Sequence, residues 1–150
     1  MIAFPDTSFL CAIAVSQANS PAAASHFAAM PEPLHVSSLL LFEFRQSVRF
    51  QIWLHDRNPA KGYPQPIASA ALSKVDFNIQ SSAINIVDVD WPDVFLKAEQ
   101  LSQRHTVVGG HRGFDVLHVA TALSLGASEF LTFDANQRRL AASEALTIRP

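Results

Sequence analysis

The chain has a single cysteine, Cys11, in 150 residues, which excludes an internal disulfide framework and any cysteine-based zinc site. Because Cys11 lies in an apolar run, it is expected to be a small buried thiol. Charge is scarce as well: Asp, Glu, Lys and Arg make up 16% of the residues against 49% hydrophobic ones. That balance excludes a disordered chain and suits one domain with one core. There is no basic excess, since 11 Lys and Arg face 13 Asp and Glu for a net charge of −2. A broad phosphate-binding surface is therefore excluded, and a nucleic-acid enzyme with this composition would need cations at its site to reverse the local sign.

Long hydrophobic runs are missing too. None approaches the roughly 20 residues of a membrane span. Phe9 to Val15 is apolar, but no Lys or Arg precedes it and Pro5 and Asp6 interrupt the approach, so no secretory signal is expected. These features fit a soluble protein of a reducing cytoplasm. The phosphate cradles G-x-x-x-x-G-K-[ST] and G-x-G-x-x-G and the G-x-S-x-G nucleophile elbow are absent. Asp6-Thr7-Ser8 lacks the second acid, two residues on, of phosphoaspartyl phosphatases.

What is present is an alternation of short apolar segments with longer helical patterns, which predicts an α/β fold with a central parallel sheet. Strands are expected at Met1–Phe4, Leu34–Val36, Ile84–Val89, Glu129–Phe133 and, at an edge, Leu146–Ile148. Helices are expected from the Asp6-Thr7-Ser8 cap to Ala18, from Pro21 to Met30, and from a Ser37 or Ser38 cap to Leu54. Further helices are expected up to Ser81, from Trp91 to His105, from Asp115 to Leu125 and from Ala135 to Ser143. His55–Pro66, with its prolines, and Val107–Gly113, with three glycines, are expected to be loops. Nothing resembles a repeat or a linker, so residues 1–150 are expected to form one domain.

Four acids draw attention. Asp6 and Asp134 each follow an apolar strand and precede a helix, where an N-cap is the plain explanation. Asp115 opens the most apolar helix, where a carboxylate also suits the helix dipole. Glu43 is harder to explain structurally: it is expected to share a helix face with Leu40, Ser47, Phe50 and Leu54, and an isolated buried carboxylate costs several kcal/mol. An arginine from elsewhere in the fold would be the ordinary partner. In open parallel sheets ligands gather beyond the carboxyl ends of the strands, and packing these elements together brings four carboxylates to one rim. Two like charges ~4 Å apart repel by about 4 kcal/mol at an effective dielectric near 20, so such a rim must keep protons or take up cations. Oxygen donors favour Mg²⁺ or Mn²⁺, and the matching chemistry is hydrolysis of a phosphate ester.

These residues resemble the PIN domain, and within it the VapC-type ribonuclease toxins of toxin–antitoxin pairs. The match is carried by DTSFL at Asp6, LFEFR around Glu43, RGFDVLHVATAL around Asp115 and LTFDANQRRLA around Asp134, and it spans nearly the whole chain. The resemblance implies an α/β/α sandwich, a homodimer, RNA as substrate and a cognate antitoxin that blocks the site. It also implies a Mg²⁺ or Mn²⁺ centre at Asp6, Glu43, Asp115 and Asp134, with supporting hydroxyls at Thr7, Ser8 and Thr132. Arg112 and Arg138 are candidate RNA contacts. The alternative class is a catalytically silent PIN-like module that sequesters RNA or a protein. Pro5, directly before Asp6, departs from the pattern and removes a backbone donor. His118, three residues after Asp115, is expected to be a hydrogen-bonded core histidine. Phe42, Phe50 and Trp53 are expected in the core or at a dimer interface.

Overall fold

The computed structural model describes residues 2–150; Met1, assigned above to the first strand, lies outside them. Five strands, β1 (Ala3–Pro5), β2 (Leu34–Val36), β3 (Ile84–Ile86), β4 (Glu129–Leu131) and β5 (Thr147–Arg149), are all parallel. They form two ladders, β1-β4-β5 and β2-β3, with β2 packed beside β1. Phe4, Phe130 and Leu131 are fully buried, because helices cover both faces of a parallel sheet.

Pro5 accounts for the break between the ladders. The Asp6 N–H donates to the Leu131 carbonyl (3.0 Å) on the β4 side, so by the alternation of a strand Pro5 turns its backbone towards β2. Proline has no N–H to offer there.

The helices form two groups around the strands. One holds α1 (Thr7–Ala14), α2 (Ser20–Ala29), α3 (Ser38–Arg57) and α4 (Gln65–Gln80). The other holds α5 (Trp91–Leu101), the short turn α6 (Val107–Gly109), α7 (Gly113–Ser124) and α8 (Ala135–Ser143). Strands flanked by two helical groups make the expected α/β/α sandwich.

Several boundaries differ from the sequence expectation. α1 stops at Ala14 rather than Ala18, because Val15 is extended and the Ser20 hydroxyl donates to its carbonyl (2.9 Å). α3 runs to Arg57, and the Asn58 N–H bonds the Leu54 carbonyl (2.9 Å), so the loop expected from His55 begins at Asn58. β3 ends at Ile86 instead of Val89, since Asp88 and Asp90 lead into the Asp90 cap of α5. The loop expected from Val107 is helical to Gly109: α5 continues through a π-helical turn, Ser102–Thr106, into α6. Gly110, at φ +66°, ends that run in the left-handed region, and Gly126, also at φ +66°, does so after α7.

α3 shows a different stripe from the one expected. Leu40, Leu41, Phe44 and Val48 are buried, while Phe50 is exposed and Glu43 lies on the edge of the buried face. Phe42, Phe50 and Trp53 are all about half exposed, so they are not core. The Phe50 and Trp53 rings stack at 5.3 Å, and the Arg57 guanidinium lies over Trp53.

Candidate functional site

The carboxyl edge of β1 and β4 gathers the site. Asp6 follows β1 directly and caps α1; its Oδ1 accepts the Phe9 N–H at 3.0 Å and the Ser8 hydroxyl at 2.6 Å. Its Oδ2 accepts the hydroxyl of Thr132, which lies just past β4, at 2.5 Å. The same Thr132 oxygen accepts the Asp134 N–H at 2.9 Å, so one buried hydroxyl joins the two strand-borne acids. The Ser8 oxygen also accepts the Phe133 N–H (2.9 Å), locking α1 to the end of β4. Asp134 caps α8, its Oδ1 taking the N–H groups of Asn136 and Gln137 at 2.8 Å each. Both capping explanations therefore hold, and they coexist with a shared site.

Asp115 is not a cap. It lies in the first turn of α7, two residues inside, where Arg112 holds the cap position. The Arg112 Nε donates to Asp115 Oδ2 at 3.3 Å from a side chain that is 81% exposed. Asp115 itself is buried.

Glu43 meets α7 through an interaction that the sequence did not signal. Its Oε2 accepts from both the Thr7 hydroxyl and His118 Nε2. His118 is fully buried, as expected of a core histidine, but its partner is a site acid and its Nδ1 has none. The expected arginine partner of Glu43 is thus replaced by a histidine, and Arg45 pairs instead with Asp76 (3.0 Å). The available clue was the spacing: three residues from Asp115 on a helix is the same face.

The electrostatics confirm the proximity. Burial pushes the Asp6 carboxyl above its ordinary range, against the opposing hydrogen bonds of Ser8, Thr132 and the Phe9 amide and the charge of His118. Burial also acts to raise Glu43, but the bonds from His118 and Thr7 and the charges of His118 and Arg112 outweigh it and hold this carboxyl low. Cys11 is pushed up to about 12 by burial and by the charges of Asp6 and Glu43, which makes it the inert thiol expected. His111 is held low, first by burial and then by His105 and Arg139, while Asp115 and Asp134 pull it the other way. Asp6 and Glu43 thus both act on Cys11, and Asp115 and Asp134 both act on His111.

Arg138 Nη2 donates to the carbonyls of Thr132 (3.1 Å) and Pro150 (3.2 Å), beside the end of β4. Among the described residues no group of three or more His, Cys, Asp or Glu side chains is arranged to hold a metal ion. The donor chemistry does fit a hard divalent cation, because four carboxylates and three hydroxyls offer oxygen only. Asp6 adds a second reason, since a nearby cation would offset the cost that burial imposes on its charge.

A parallel α/β/α sandwich with acids on its carboxyl edge defines a class of proteins whose sites lie beyond the strand ends. The family model for the PIN domain matches residues 3–143, and the chain belongs to that family. A search of curated proteins finds no match. Among solved structures the chain is similar to VapC20 of Mycobacterium tuberculosis, described as a sarcin–ricin-loop-cleaving toxin, with 21% identity, TM-score 0.67 and 99% of both chains covered. It is also similar to VapBC2 of Rickettsia felis bound to a promoter DNA fragment, with 15% identity, TM-score 0.70 and coverage of 99% and 98%. VapBC-1 of nontypeable Haemophilus influenzae matches with 12% identity, TM-score 0.64 and coverage of 99% and 97%.

Proposed function

We propose that this chain is a divalent-metal-dependent endoribonuclease, the toxin of a toxin–antitoxin pair, with Asp6, Glu43, Asp115 and Asp134 as its acidic centre. What supports the reading is a set of contacts at the carboxyl end of β1 and β4. Thr132 joins Asp6 to Asp134, and Thr7, next to Asp6, and His118, one turn along α7 from Asp115, both bind Glu43. VapC20 is described as cleaving the sarcin–ricin loop, which supports RNA as the substrate class here. The VapBC complexes support a protein antitoxin as partner. Exposed Phe42, Phe50 and Trp53 on α3 support a homodimer. No helix among the described residues is long and apolar enough to cross a membrane, which accords with a cytoplasmic toxin.

Asp6, Asp115 and Asp134 would hold Mg²⁺ or Mn²⁺, with Glu43 as a further ligand or as acceptor of the attacking water's proton. The ion would supply a more acidic water and positive charge for the phosphodiester. The chain's own residues do the positioning. Ser8 and Thr132 orient Asp6, and Thr7 and His118 both bind Glu43 Oε2. Asp115 can exchange Arg112 for a cation, because the Arg112 side chain is 81% exposed and can swing into water while the new cation compensates the buried carboxylate.

The test is cleavage of a mixed tRNA and rRNA pool by the purified, antitoxin-free chain in Mg²⁺ or Mn²⁺. Products with 5′-phosphate ends, lost with EDTA and in Asp115→Asn, are expected. Absence of cleavage in every metal by folded protein would reject the nuclease and leave the sequestering module.

A further inference from the structure

The two flanks of the acidic rim differ in chemistry. On one side Phe42, next to Glu43, and Phe114, next to Asp115, open into an apolar groove with Leu39, Trp91 and Phe95. On the other, a groove of about 380 Å³ runs between the 104–111 segment and α8, lined by Arg104, His105, His111 and Arg139. We infer that this second groove binds the phosphate backbone of an RNA strand next to the scissile bond, an inference that rests on the nuclease reading of the acidic rim.

The placement follows from the helix period. Asn136, Arg139, Leu140 and Ser143 fall on one stripe of α8, and the last three line the groove. α8, which Asp134 caps, is nine residues or about 13 Å long, and its second half forms the groove wall. Several contacts fix the opposite wall. The Asn136 amide donates to the Gly110 carbonyl (3.4 Å), and Glu144 accepts from Arg104 (2.8 Å) and His105 (2.7 Å). A Cβ at Gly109 would strike the His111 ring, so glycine there lets the imidazole lie across the backbone. The Arg139 guanidinium is held by Asn136 Oδ1 at 2.7 Å.

Charge explains why a strand would take this route. A chain of net charge −2 has no general attraction for RNA, and the phosphates flanking the scissile one face four carboxylates. Asn136, whose N–H bonds Asp134, also bonds the Gly110 carbonyl between two groove-lining residues, Gly109 and His111. His111 is influenced by the charges of Asp115 and Asp134 as well as those of His105 and Arg139, so the groove lies beside the acids. Arg104 and Arg139 supply permanent positive charge, offset in part by Glu144, and the two imidazoles supply ring donors. Val107 and Val108, both 92% exposed, give the lip an apolar edge against which a base can lie.

The experiment compares the full chain with Arg104→Gln, Arg139→Gln and the double variant, using Lys74→Gln on α4 as a charge-matched control. Affinity is read in the Asp115→Asn background with a fluorescein-labelled single-stranded oligoribonucleotide of mixed sequence, about twelve nucleotides long. Each groove substitution is expected to weaken binding about tenfold and to lower the slope of log Kd against log salt by about 0.7. In the active background KM should rise with kcat held, and Lys74→Gln should change neither quantity. Wild-type affinity and salt slope in the folded double variant would overturn the inference, as would a loss confined to kcat. A wild-type chain that cuts no RNA would reject the nuclease reading instead, and the binding series would still decide the groove.

Discussion

Replacing His118 by leucine removes one of the two donors to Glu43 Oε2, together with the edge contact of the imidazole with Phe114. A hydrogen bond to a charged group contributes about 1.5–3 kcal/mol. Glu43 keeps 25% of its side chain in water, which can replace part of the lost bond, so the lower half of that range applies. The assay is a urea-unfolding double-mutant cycle with His118→Leu, Glu43→Ala and the double variant. The volume lost at the fully buried 118 position occurs in both Glu43 backgrounds and cancels from the coupling energy. A coupling of about 1.5–2 kcal/mol is expected. Cleavage by His118→Leu should fall by about 10–100-fold, the usual loss when the partner of a ligating group is removed. His118→Gln, which keeps an N–H donor at similar reach, should recover most of it. Coupling below about 0.5 kcal/mol, or equal inactivity of the leucine and glutamine variants, would refute the idea that His118 acts through Glu43.

Thr132→Val removes the buried hydroxyl that bonds Asp6 and receives the Asp134 amide, so stability should fall by about 1–3 kcal/mol in chemical denaturation, and Thr132→Ser should restore it. Asp115→Asn should abolish cleavage yet change stability by less than about 1 kcal/mol, because its partner Arg112 is largely solvated. A larger loss would mean that Asp115 serves the fold rather than the chemistry. Burial acts to raise Glu144, but Arg104 and His105 hold it below its ordinary 4.5, so its charge stabilises the fold above that value. Glu144→Gln should therefore lower the thermal midpoint at pH 7, and the gap from wild type should close as the pH falls below 4.5. A gap independent of pH would assign the loss to packing.

The placement of Asp6 and Asp134 beyond the ends of buried strands was legible, because each combines two local signals, an apolar strand before it and a helix after. The parallel α/β class followed from the same alternation, and the α/β/α sandwich from the resemblance to the PIN domain. Contacts between distant helices were less legible. Glu43 and His118 are 75 residues apart, and no periodicity within either helix can report such a meeting. The apolar stripe of α3 was misplaced for a related reason: Phe50, expected on the face of Leu40 and Glu43, is about half exposed, while Leu41, Phe44 and Val48 turn in. The helical continuation to Gly109 was hidden by the two glycines that end it. Helix propensity is a weak prior, and the packing of α5 against α7 overrides it.

The pairing of Pro5 with Leu131 in the β1–β4 ladder has a consequence for how the protein can fail. Asp6 and Thr132 are each the next residue along, so the alignment of two buried strands sets the spacing of the polar groups beyond them. A slip of one residue would turn Phe4 and Phe130 to the wrong side of the sheet, and the hydrophobic interior forbids it. Mild destabilisation therefore cannot blunt this half of the site by degrees; it survives intact until the whole domain melts. The 104–111 segment is tied to α8 and Glu144 through side-chain contacts at Gly110, Arg104 and His105, so substitutions can reshape that wall while the strand pairing stays as it is.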